Sequence, residues 1–168
     1  MTAYFEDPVK VLEEALRVEK EGQSFYRKAA DQTKSKKGRK IFRSLVEDEA
    51  MHQRLIQREL DHLTSEGKWA RSAEAAGGAQ FDLSVSIFPQ GREGLQKAVQ
   101  ADAADTEALI VALEIETKSY DMYRRWAEMA TSPASCEMLE FLASQERTHF
   151  DLLMANYESM VAFGGWAD

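Results

Sequence analysis

The sequence matches itself when it is shifted by 97 residues without a gap. Leu12, Ala15, Leu16, Glu19, Tyr26, Arg27, Ala30, Ser35, Leu45, Glu49, His52 and Leu55 then fall on Leu109, Ala112, Leu113, Glu116, Tyr123, Arg124, Ala127, Ser132, Leu142, Glu146, His149 and Leu152. Twelve identities across the 44 positions from Leu12 to Leu55 are several times what composition alone supplies. An internal repeat of this kind means two copies of one supersecondary unit, each of which buries its apolar face against the other.

The unit reads as a helical hairpin. Asp7-Pro8 is an N-cap followed by proline at the first helical position, and apolar residues recur at Val11, Leu12, Ala15, Leu16, Val18, Phe25, Tyr26 and Ala29 up to about Thr33. After Lys34-Ser35 the periodicity resumes at Ile41, Phe42, Leu45, Val46, Leu55, Ile56 and Leu63 and stops at Glu66-Gly67. In the second copy a helix starts near Asp105-Thr106-Glu107 and runs through Leu109, Leu113, Ile115, Tyr123 and Trp126. Ser132-Pro133 opens another, which ends near Phe163 before Gly164-Gly165 and a short tail, Trp166-Ala167-Asp168. The expected fold is all-α: a single domain, residues 1–168, forming a four-helix bundle of two repeated hairpins, 7–66 and 105–163. A 67–104 crossover joins them, far longer than the roughly 2 to 8 residues usual between neighbouring helices.

Within the crossover, Phe81, Leu83, Val85 and Ile87 alternate with Asp82, Ser84 and Ser86 until Phe88-Pro89. This stretch is expected to lie extended along the bundle or to pair with its copy, followed by a short helix from Glu93 to Ala101. Because an exposed apolar edge is a liability unless covered, a homodimer is expected.

Composition narrows the function. With 29 acidic against 21 basic residues and a net charge of -8, no basic face is expected and nucleic acid is not an expected partner. A single cysteine, Cys136, rules out an intrachain disulfide or a many-thiolate metal site in this sequence, and it reads as a small buried hydrophobe. No stretch approaches the ~20 apolar residues of a membrane span, and the acidic start lacks the basic n-region of a signal peptide, so no membrane is expected and the location is read as cytoplasmic.

Glu49-x-x-His52 and Glu146-x-x-His149 each place a carboxylate and an imidazole one turn apart, about 60° around a helix, so that both can face one ion. The third such pair, Glu59 and His62, maps onto Asn156 and Ser159 in the repeat and is assigned to a solvated surface. Glu19 and Glu116 are also kept by the repeat and share a stripe with Leu12, Leu16, Tyr26 and Leu109, Leu113, Tyr123 respectively. Glu19 and Glu49 are equidistant from Lys34, and Glu116 and Glu146 from Thr131, so an antiparallel hairpin sets each pair at one height. Four carboxylates and two imidazoles therefore share a layer that should face the core. Unpaired buried carboxylates cost several kcal/mol each or take up protons, whereas two divalent cations neutralise all four. Oxygen and imidazole donors suit iron or manganese, with zinc also compatible.

One Glu from each of two helices plus Glu-x-x-His from each of the other two is the ligand pattern of ferritin-like di-iron bundles. The chain resembles the rubrerythrin family of such proteins along nearly its whole length. The resemblance rests on the two Glu-x-x-His motifs and on the segments Val18-Glu19-Lys20-Glu21-Gly22-Gln23-Ser24-Phe25-Tyr26 and Glu114-Ile115-Glu116-Thr117-Lys118-Ser119-Tyr120-Asp121-Met122-Tyr123. It implies two iron ions bridged by Glu49 and Glu146, with Glu19 and Glu116 as terminal ligands and His52 and His149 each completing one shell. The implied activity is reduction of peroxide or dioxygen, the alternative being an iron-binding, ferroxidase or storage role without peroxidase turnover. None of the four cysteines of a rubrerythrin's rubredoxin domain is present, which implies a separate electron donor such as a rubredoxin. Ser119 stands where peroxidase-type members carry a further carboxylate, which weakens the case for efficient peroxide chemistry.

Tyr26 and Tyr123, two turns beyond Glu19 and Glu116, either hydrogen-bond a bridging carboxylate or simply pack in the core. Asp48 and Gln145 can accept the second ring N–H of a histidine or stay solvated. Phe25, Phe42, Met122 and Met138 are expected in the core.

Overall fold

The computed structural model describes residues 8–68 and 103–167, and these form four α-helices: α1 (Pro8–Gln32), α2 (Lys36–Glu66), α3 (Ala103–Met129) and α4 (Pro133–Phe163). Among the described residues there is no strand. The second helix of each hairpin starts on a serine. The Ser35 hydroxyl accepts from the Gly38 N–H at 3.2 Å, and Ser132 and Ser135 cap each other reciprocally, with Pro133 in the first turn. Both helices stop on a glycine in the left-handed conformation, Gly67 and Gly164. The capping signals thus set the ends of α2 and α4 where the sequence places them, and α3 begins two residues before Asp105.

α1 packs along α2, α3 packs along α4, and α1 also meets α3, giving a bundle of two hairpins. Its core has two apolar clusters. One gathers Leu12, Leu16, Ile56, Leu63, Tyr123, Met138, Leu139 and Leu142, with Met122 packed against it; the other gathers Tyr26, Phe42, Leu45, Leu109, Leu113, Leu153, Met160 and Trp166, with Phe25 packed against it. Each cluster draws from all four helices, so each helix passes from one cluster to the other, and Glu19, Glu49, His52, Glu116, Glu146 and His149 fall between them in sequence. Cluster membership also shows that α2 finishes at the end of the bundle opposite to the one where α3 begins. The extended stretch from Phe81 to Ile87 and the short helix from Glu93 to Ala101 lie outside the described residues.

Trp166 is not part of a loose tail. It is buried edge-on against Phe42, and its Nε1–H donates to Asp105 Oδ2 at 3.0 Å, an oxygen that also accepts from the Thr33 hydroxyl at 2.9 Å. The ring reaches this place only because residue 38 is glycine, where a Cβ would stand 2.5 Å from Trp166 Cζ2. Cys136 is half-buried rather than fully enclosed. No helix of the described residues is long and apolar enough to cross a membrane.

Candidate metal centre

The two apolar clusters leave a polar layer between them. Glu19, Glu49, His52, Glu116, Glu146 and His149 are all at most 4% exposed, although they come from four different helices. Their donor atoms form two groups, Glu19, Glu49, His52, Glu146 and Glu49, Glu116, Glu146, His149, in each of which all the atoms lie within 4.8 Å of one another. Glu49 and Glu146 belong to both groups. His52 Nδ1 is 3.1 Å from Glu19 Oε2, 3.4 Å from Glu49 Oε2 and 3.6 Å from Glu146 Oε1. His149 Nδ1 is 3.4 Å from Glu116 Oε2 and 3.6 Å from Glu49 Oε1, and the two imidazole rings lie 5.5 Å apart. The four helices therefore bring the six residues into the single buried layer that their spacing predicts.

Tyr26 donates its phenolic O–H to Glu116, and Tyr123 donates to Glu19. This corrects the expectation of a bond to Glu49 or Glu146: α1 and α3 face each other, so each tyrosine meets the glutamate of the opposite hairpin. Burial, followed by the charge of nearby carboxylates, raises both phenols well above their ordinary value, which keeps them as proton donors. Asp48 Oδ2 lies 3.5 Å from His149 Nε2, the ring nitrogen turned away from the cluster, whereas His52 Nε2 finds no hydrogen-bond partner among the described residues. Gln145, the repeat counterpart of Asp48, makes no such contact to His52.

Glu59 is buried, not solvated. The two members of a Glu-x-x-His pair differ by about 60°, so the pair cannot be assigned as a unit: Glu59 is two turns from His52 on the same face, while His62 lies off it and is half-buried.

Protonation is divided unequally in the layer. Burial pushes Glu49 and Glu146 well above the ordinary carboxylate range, and the neighbouring carboxylates push them further. Burial acts in the same direction on Glu19, but its hydrogen bonds from Glu49, His52 and Tyr123 and the His52 charge outweigh it and bring it down to about 2. For His149 burial disfavours the charged ring, yet Asp48, Glu116 and Glu49 prevail and raise it to about 10. Glu116 Oε2, Glu146 Oε1 and His149 Nδ1 are buried with no hydrogen-bond partner among the described residues, and all three border the space shared by the cluster. Buried polar atoms are otherwise almost always paired. Orphaned carboxylate and imidazole donors aimed at one another are what a cation between them would satisfy, so the residues fit a pair of metal ions.

A four-helix bundle of two hairpins with a buried carboxylate and histidine cluster in its middle layer defines the ferritin-like class. The rubrerythrin family model matches residues 10–157, and the chain belongs to that family, a ferritin-like di-iron family. No curated protein and no solved structure matches it.

Proposed function

We propose that the chain is a di-iron carboxylate oxidoreductase that reduces peroxide or dioxygen. Glu19 and His52 would hold one iron, Glu116 and His149 the other, and Glu49 and Glu146 would bridge them. The observation that carries this reading is the sharing of Glu49 and Glu146 between two four-residue groups of donor atoms. Bound there, two irons would supply two-electron redox chemistry. The chain's own contribution is positional. Tyr26 and Tyr123 hold the terminal carboxylates Glu116 and Glu19 by hydrogen bonds, and the Asp48 carboxylate lies 3.5 Å from the outer ring nitrogen of His149. The apolar clusters on either side keep bulk water from the layer. Peroxide takes two electrons and two protons to give two waters, and in this reading the electrons come from a separate donor such as a rubredoxin, with the chain working as a homodimer.

Ser119 gives a second reading specific footing. It is buried one turn beyond Glu116, and its repeat counterpart Gly22 faces the Glu49 side chain, so neither half offers a further carboxylate there. A ferroxidase or storage role suits that arrangement. Metal analysis of protein purified without added metal, with absorbance recorded before and after peroxide, tests both. About two irons per chain and a spectrum that bleaches and recovers through cycles of donor and peroxide are expected for the oxidoreductase. Uptake of further iron with no turnover favours storage, and a zinc-filled centre with no spectral change overturns the redox reading.

A further inference from the structure

The net acidity of the chain conceals a local concentration of the opposite sign. Residues 34–43 carry Lys34, Lys36, Lys37, Arg39, Lys40 and Arg43 and no acid. Lys36, Arg39, Lys40 and Arg43 line a shallow surface groove at the N-terminal end of α2, together with Ser44 and Glu47. Several exposed cations elsewhere pair with acids one turn away, as in Arg17 with Glu14 and Glu21, Lys118 with Glu114, Arg124 with Glu128 and Arg147 with Asp151. Lys36, Lys40 and Arg43 have no such partner among the described residues.

The repeat supplies an internal control. The counterparts of Lys36, Arg39, Lys40 and Arg43 are Pro133, Cys136, Glu137 and Glu140, so the same places on α4 have lost the positive charges and gained two negative ones. The hairpin therefore forms without this basic face, and its presence on α2 alone is not a requirement of folding.

Its position ties it to the metal centre. Arg43 and Glu49 are six residues apart on α2, about 9 Å along the axis at 1.5 Å per residue. Ser44, on the groove, is one turn from Asp48, whose side chain is 28% exposed and touches His149. The six cluster residues are sealed from solvent, so a macromolecular reductant has to act from the outer surface. Asp48 is where that surface comes within one side chain of His149.

We propose that the α2 groove formed by Lys36, Arg39, Lys40 and Arg43 is the docking surface for an acidic electron-donor protein. This rests on the redox reading above and specifies where its donor binds. Uncompensated cations attract an acidic face and raise the encounter rate at low salt. At each encounter the donor is oxidised by one electron and the metal pair is reduced by one, with no bond made or broken.

The test uses the full chain loaded with iron and, as probe, an acidic rubredoxin. Binding is followed by anisotropy of the labelled rubredoxin, and reduction by stopped flow, each across a salt series and with dithionite as a small reductant. For K36E/K40E/R43E we expect at least a 10-fold loss of rubredoxin affinity and rate at low salt, loss of the salt dependence, and dithionite reduction within twofold of the parent. A neutral variant, K36Q/K40Q/R43Q, should fall between. Unchanged rubredoxin binding in the charge-reversed variant overturns the proposal. So does an equal slowing with both reductants, a salt-sensitive self-association that the variant abolishes, or displacement of the rubredoxin by a short DNA duplex at equal concentration. If dithionite does not reduce the loaded centre, the redox reading fails, while the anisotropy arm still decides whether an acidic protein docks here.

Discussion

Metal loading should be strongly proton-coupled, and the size of the effect follows from the unequal protonation of the buried layer. In the metal-free chain His149 is raised to about 10, so at neutral pH its ring carries a proton that has to leave before Nδ1 can act as a ligand. Glu19, brought down to about 2, has no proton to release, whereas Glu49 and Glu146 are raised well above the usual range and add to the release in proportion to their occupancy. One proton released makes affinity rise about tenfold per pH unit, so His149 alone predicts about 100-fold tighter binding at pH 8 than at pH 6, about 2.7 kcal/mol. Calorimetric titration of Mn(II) in buffers of different ionisation heat counts the protons directly, and a competing chelator gives the affinity at each pH. We expect at least one proton released per chain at pH 7. Release of fewer than half a proton, or an affinity flat between pH 6 and 8, would refute the assignment of His149 as a ligand that is protonated when metal-free. The same groups set the stability of the metal-free chain. The contribution of His149 is complete below about 6.5 and is lost as pH rises through about 10, that of Glu49 and Glu146 is complete below about 4.5 and is lost as pH rises above it, and Glu19 contributes above about 4.5 and loses its effect as pH falls towards 2. Thermal melts of chelator-treated protein should peak in mildly acid solution and decline towards pH 10, and metal should remove that decline.

Three substitutions extend the reasoning. Asp48→Asn removes the largest influence holding the proton on His149, so the pH dependence of Mn(II) binding should become shallower between pH 8 and 10; a chelator competition series that superimposes on the parent would contradict it. Gly38→Ala places a methyl into the Trp166 ring and should cost about 1–3 kcal/mol in urea unfolding, with the Trp166 fluorescence shifted towards that of an exposed indole; an unchanged midpoint would show that the ring is not held there. Ser119→Glu sets a carboxylate one turn beyond Glu116 and should speed peroxide oxidation of the iron-loaded chain several-fold in stopped flow, and a slower or equal rate would count against a missing carboxylate as the limit on reactivity.

Much of the fold was legible because the strongest signals were local and doubled. Ser35 and Ser132 as caps, Gly67 and Gly164 as stops, and the apolar stripes each appear twice, so every assignment in one hairpin could be checked against the other. The six cluster residues were legible for the same reason, since helical phase fixes a face and distance from the turn fixes a height. What escaped depends on relations that neither phase nor height encodes. The partner of each tyrosine is set by which helices face one another across the bundle, and Tyr26 and Tyr123 reach the opposite hairpin. Trp166 lies beyond the last periodic segment, and only the space left by Gly38 and the Asp105 carboxylate draw it into the core. Glu59 escapes a reading that pairs it with His62, because its own helical phase places it with His52.

Departures from the repeat are therefore where the two halves differ in function. A pair of hairpins built alike would hold two ions in equivalent shells, yet Asp48 faces the outer nitrogen of His149 while Gln145 leaves the outer nitrogen of His52, Nε2, without a hydrogen-bond partner among the described residues. Gly22 and Ser119 stand at matching places beside the cluster with different reach. On the outside, the cations of α2 are replaced by Glu137 and Glu140 on α4. An outer carboxylate makes a histidine a stronger ligand. The basic groove and the Asp48 to His149 contact lie along one side of α2, so the half of the centre with the better-supported histidine is also the half nearest the cationic surface. Symmetry supplies the ligand cage, and its breaking at Asp48 and on the α2 face gives the cage a direction.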